Sequence, residues 1–132
     1  MKREFMLFWF NSKKKLEEFL QRPRMTDEDF LSELGFSGTK LKKVVKDYRS
    51  KLGDMFQVPP EKIYPNDKFG ELSRLQPCDW DLLEIVLFLE DSLKVELDDE
   101  KVPDWNGTTN VGSWVADLLS KCFTQNRENL ES

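Results

Sequence analysis

At 132 residues with a net charge of -5, 39% hydrophobic and 34% charged, the chain is long enough to bury one core and has the composition of a soluble globular domain. Charge is uneven. Residues 1–66 hold 14 Lys/Arg against 10 Asp/Glu (+4), and residues 67–132 hold 6 against 15 (-9). The absence of histidine removes Ser-His and Cys-His dyads and histidine-ligated metals. The only cysteines, Cys78 and Cys122, make neither a disulfide framework nor a metal-ligand spacing, which points to a reducing compartment.

The chain opens Met-Lys-Arg and turns apolar. The run Phe5 to Phe10 is nevertheless short, is followed by Asn-Ser-Lys-Lys-Lys and has no small-residue cleavage site, so a cytoplasmic protein is expected. No run reaches membrane-spanning length. Glu4 to Gln21 carries Phe5, Phe8, Trp9, Leu16, Phe19 and Leu20 at helical spacing and stops before Pro23. Thr26 reads as the N-cap of a short helix, with acids at Asp27, Glu28 and Asp29 and Gly35 near its end. A third helix should begin near Ser37 or Thr39 and bury Leu41, Val44, Val45, Tyr48, Leu52 and Met55.

Val58-Pro-Pro ends that helix. Ile63, Pro65, Phe69, Leu72, Leu75 and Pro77 then suggest a long loop pinned to a core. The next helix is expected over Asp79 to Leu93, with Asp79 as its N-cap. Pro103 and Gly107 leave room for only a short helical turn between 95 and 107. Val111, Trp114, Val115, Leu118 and Leu119 mark a last helix capped by Thr109 or Asn110. The expectation is an all-α chain: an N-terminal helical extension over 1–35, a helical domain over 36–124 and a frayed tail over 125–132.

Three segments carry a resemblance: Val58-Pro-Pro-Glu-Lys-Ile-Tyr-Pro-Asn-Asp-Lys-Phe, Asp81-Leu-Leu-Glu-Ile-Val-Leu-Phe-Leu-Glu-Asp and Thr109-Asn-Val-Gly-Ser-Trp-Val. Their order and spacing are similar to acyl and peptidyl carrier proteins over about residues 39–122, roughly two thirds of the chain. The chain looks like the small acyl-carrier-like proteins of bacteria, and the resemblance implies an acyl-carrier-like helical bundle. It also implies a serine at the start of the second carrier helix, bearing 4′-phosphopantetheine. Aligning Glu84 with the glutamate that follows that serine puts Asp79 in the serine's place, and a carboxylate cannot form the stable phosphodiester. Ser73 and Cys78 lie nearby. Asp91-Ser92-Leu93 repeats the carrier motif literally, but at the end of the apolar helix.

The resemblance further implies that an acidic face of this helix meets basic patches on partner proteins. Asp81, Glu84 and Asp91 recur at three- and seven-residue steps and are expected to share that face, with Asp79 at its head. The leading expectation is a non-carrying relative that binds a protein partner and holds no cofactor. A carrier with an atypical attachment residue is the alternative. Lys40, Lys42, Lys43, Lys46, Arg49 and Lys51, with Lys13 to Lys15, raise nucleic-acid binding, but no base-reading motif or stacking platform accompanies them, so nucleic acid is disfavoured. Asp79, Asp81 and Glu84 could supply a carboxylate pair, yet no phosphate-binding glycine loop or metal cluster marks an enzyme. The aromatic helix Phe5 to Leu20 could pack on its own domain or form a homo-oligomer interface.

Overall fold

The computed structural model describes residues 13–123, and the chain is all-α. Helix α1 covers residues 13–21, α2 Asp27–Glu33, α3 Thr39–Phe56, α4 Phe69–Ser73, α5 Leu82–Leu93 and α6 Val111–Phe123; a 3₁₀ turn spans Pro60–Lys62. Among the described residues the only β pairing is an isolated antiparallel bridge between Lys68 and Asn110. No described helix is long and apolar enough to cross a membrane. The expected helix before residue 13, the aromatic run Phe5 to Phe10 and the tail over 125–132 lie outside the described residues.

Local chemistry explains most boundaries. The Thr26 hydroxyl accepts from the Asp29 N–H at 3.0 Å, and Asp27, Glu28 and Asp29 occupy the first turn of α2, where the helix dipole favours acids. At its far end Gly35 takes φ 85, its N–H donates to Ser32 O, and the Phe36 N–H donates to Leu31 O. This closes a Schellman motif that a side chain at 35 would strain. Helix α3 begins at Thr39, with Gly38 as its N-cap, and not at Ser37. It ends where Gln57 turns left-handed and Val58 folds back over Gly53.

The periodic residues of α3 do enter the core: Leu41, Val44, Val45, Tyr48, Leu52 and Met55 are all buried. So are Ile63, Pro65, Phe69, Leu72 and Leu75, which pin the connection after α3. That connection is more ordered than a loop, because Phe69–Ser73 forms α4. Its first N–H groups find no partner within so short a helix. Phe69 N–H donates to Thr109 O at 3.1 Å and Gly70 N–H to Gly107 O at 3.0 Å. Reciprocally, Val111 and Gly112 at the start of α6 donate to Asp67 O and Pro65 O at 2.8 and 2.9 Å. Two helix starts thus satisfy each other's orphan donors across the Lys68–Asn110 bridge.

Asn110 directly precedes α6, and its carbonyl accepts the Trp114 N–H. The Thr109 hydroxyl instead accepts from the Asn106 N–H. Between α5 and α6 the chain runs through turns with no helix.

The described part of the N-terminal segment joins the same core through Phe19, Phe30 and Leu31. Leu20, expected on the buried face, is instead 43% exposed. Two arginines fasten this segment. Arg22 Nη1 lies 2.9 and 2.8 Å from the two Asp67 oxygens and 3.1 Å from Lys62 O, with its guanidinium over the Phe19 and Tyr64 rings.

Arg49 corrects its reading as part of a basic surface, being only 1% exposed. Its Nη1 donates to Met25 O and Asp27 Oδ1, both at 2.9 Å, its Nη2 donates to Ile63 O at 2.9 Å, and its plane covers Phe30. A buried charge is tolerable only with such partners. Burial lowers the Arg49 pKa, and the Asp27 hydrogen bond and charge oppose that shift.

Candidate interaction face on helix α5

The approach to α5 is not helical, and the reason is aromatic. Trp80 stacks on Phe69 with centroids 5.9 Å apart and planes 7° from parallel, and meets Phe56 at 5.3 Å. Holding that indole on the core keeps residues 77–81 out of the helix. Asp79 is therefore not the N-cap. Asp81 is, with its Oδ1 accepting the Leu83 N–H at 3.0 Å. Asp79 lies two residues earlier, exposed and off the helix.

The four predicted residues are thus only partly brought together. Glu84 and Asp91 are exposed on α5 itself, and their spacing places them on one side. Asp81 turns its carboxylate to the helix start, and Asp79 belongs to the preceding loop. Glu84 also has a partner within the chain, since Lys51 Nζ stands 3.8 Å from its Oε2 and 5.7 Å from the Phe88 ring centroid. Some of the α3 basic charge therefore faces α5. An exposed pair of this kind contributes about 0–1 kcal/mol.

The arc has a component the acidic pattern did not reveal: Leu83 and Leu87 are 60% and 55% exposed. At roughly 100° of rotation per residue, Leu83, Leu87, Asp91 and Glu84 fall in that order within about 100°. Ile85, Val86, Leu89 and Leu93 point the other way into the core. A signal existed in the sequence, because a helix apolar on most sides cannot bury every side in a domain this small.

The nearby hydroxyls and thiol are engaged. Ser73 Oγ donates to Gly70 O at 2.9 Å, and Ser92 Oγ donates to Asp47 Oδ2 at 3.0 Å, joining α5 to α3. Cys78 Sγ contacts Ser73 O at 3.5 Å. Burial, and after it the Asp79 charge, pushes the Cys78 thiol pKa up. Among the described residues no group of three or more cysteines and carboxylates is arranged to hold a metal.

No protein-family model matches the chain, and neither the curated proteins nor the solved structures yield a significant match.

Proposed function

We propose that this chain is a non-carrying, acyl-carrier-like protein of the cytoplasm that acts as an interaction or regulatory module through the outer face of α5. The observation that carries the reading is the arc of Leu83 and Leu87 beside Glu84 and Asp91. Burying a leucine of this kind contributes about 1.5–3 kcal/mol, so a partner covering both gains substantially. The acids bordering them favour a partner with a basic rim.

The carrier-like part of the proposal is supported by the helix order and by an aspartate, exposed at 79, in the position the resemblance gives to the modified serine. The hydroxyls of Ser73 and Ser92 are both hydrogen-bonded within the fold, which disfavours either as a substitute attachment point.

Two measurements test the reading. Glu84→Lys combined with Asp91→Lys leaves the Asp81 cap in place. It should abolish capture of the partner in a pull-down from the native host, with helicity unchanged by circular dichroism. Unaltered capture would sink the proposed surface. Separately, the full chain incubated with coenzyme A and a promiscuous phosphopantetheinyl transferase should keep its mass, and attachment of the arm would make it a carrier.

A further inference from the structure

The turn that supplies the α4 start with its acceptors carries chemistry of its own. Asn106, Gly107 and Thr108 are all exposed. The side-chain carbonyl oxygen of Asn106, Oδ1, accepts from the Thr108 N–H at 2.8 Å and from the Thr108 hydroxyl at 2.5 Å. Two donors on one oxygen polarise that carbonyl and make its Cγ more electrophilic.

An asparagine side chain can react with the main-chain nitrogen of the next residue when that nitrogen is open and free of other bonds. The three described asparagines differ in this respect. After Asn66, the Asp67 N–H donates to Tyr64 O at 3.1 Å; after Asn110, the Val111 N–H donates to Asp67 O at 2.8 Å. The Gly107 N–H has no acceptor among the described residues. Glycine also puts no side chain beside the nitrogen.

We propose that Asn106 is a self-modifying site, which deamidates through Gly107 and then unfastens the start of α4. The Gly107 nitrogen gives its proton to hydroxide and bonds to Asn106 Cγ. Negative charge building on Oδ1 is met by the two Thr108 donors, as in an oxyanion hole. The Cγ–Nδ2 bond then breaks, the amide nitrogen takes a proton from water and leaves as ammonia, and a five-membered succinimide remains. Water opens that ring. Opening at the main-chain carbonyl leaves an isoaspartate, in which the chain runs through Cβ and Cγ and is one methylene longer.

The turn has no slack for an added atom. Gly107 O accepts the Gly70 N–H and Thr109 O the Phe69 N–H, and a Cβ on Gly70 would stand 2.6 Å from Gly107 O. Moving those carbonyls frees the first donors of α4. Phe69 in turn carries Trp80, which holds the approach to α5 out of the helix. This inference does not depend on what α5 binds.

The test ages the full chain in mildly alkaline buffer. Its peptides are mapped by mass and by methyl transfer from S-adenosylmethionine with an isoaspartyl methyltransferase. Isoaspartate should accumulate at position 106, faster as pH rises and ahead of any reaction at Asn66 or Asn110. Gly107→Ala fits the fold, since its Cβ would meet only Gly70 Cα, at 3.8 Å, and it should lose most of the reaction by crowding the nitrogen. Thr108→Val keeps the N–H donor and should slow the reaction about tenfold, less than the ~10²–10³ of a water-excluded oxyanion hole. In the aged chain the Phe69 and Gly70 amides should lose exchange protection. Asn106→Asp, which adds the charge without the methylene, should keep it. An unreacted Asn106, or equal reaction at Asn66 or Asn110, overturns the site. Isoaspartate with Phe69 and Gly70 still protected overturns the coupling to α4, and protection lost equally in Asn106→Asp overturns the role of the lengthened chain.

Discussion

Gly112 and Pro65 lie closer than any side chain at position 112 would permit. The Gly112 N–H donates to Pro65 O at 2.9 Å, and a Cβ on Gly112 would stand 2.5 Å from Pro65 Cβ and 2.7 Å from its Cα. In an ordinary exposed helix, replacing glycine with alanine gains up to about 1 kcal/mol. Here the sign reverses, because the neighbour is backbone and a proline ring that cannot step aside. Gly112→Ala should lose about 1–3 kcal/mol, read as a lower urea midpoint with an unchanged slope. A midpoint at or above the parent's would show that the two segments can separate freely.

Arg49 should be the most sensitive charged residue described. Arg49→Ala removes the shared partner of Met25 O, Asp27 and Ile63 O and leaves a void, so a loss of about 3–5 kcal/mol is expected. Asp27→Asn keeps the two carbonyl bonds and should cost clearly less. Arg49→Lys should not restore stability, because an ammonium lacks the planar fork that reaches three acceptors. Equal losses for Asp27→Asn and Arg49→Ala would point to the ion pair alone.

The Tyr48 phenol is fully buried, donates to Val111 O at 2.8 Å, and has its pKa raised well above its ordinary value by burial. The unfolded chain ionises this phenol near pH 10 while the folded chain still holds its proton. Between those two values the native state binds more protons, so stability is full below about pH 10 and falls as pH rises beyond it. Tyr48→Phe should cost about 1 kcal/mol at neutral pH and flatten that alkaline decline. Parallel curves for the two proteins above pH 10 would contradict this account.

Cys78 should alkylate slowly. Burial raises its pKa first and the Asp79 charge second, so thiolate is scarce at neutral pH. Iodoacetamide labelling at pH 7.5 should be slower than for an unstructured cysteine peptide. Asp79→Asn should speed it without reaching the peptide's rate, because the larger cause remains. A rate matching the peptide in the parent protein would show an open thiol.

Much of the helical frame can be read from the chain alone, since α3, α5 and α6 each carry a strong apolar period over a dozen or more residues. The misses share a cause: contacts from far along the chain overrode a local rule. Asp79 looks like a good cap, but the stacking of Trp80 on Phe69 holds that stretch out of the helix and passes the cap to Asp81. Helix α4 is too short to show a period, and its donors are met by residues nearly forty positions away. Arg49 stands among lysines and reads like them until Met25, Asp27 and Ile63 converge on it. On α5 the acids are legible as a pattern, whereas the exposure of Leu83 and Leu87 depends on what the rest of the fold leaves uncovered.

The reciprocal bonding of the α4 and α6 starts also constrains the order of folding. Five residues cannot hold a helix in water on their own. The turn at Phe69–Ser73 should therefore form only once the chain around Gly107 to Gly112 has arrived, however early the preceding residues are made. Amide exchange should then show one opening event shared by Phe69, Gly70, Val111 and Gly112, although more than thirty-five residues separate the two pairs. In such a chain α6 completes the middle of the described fold as well as its own start.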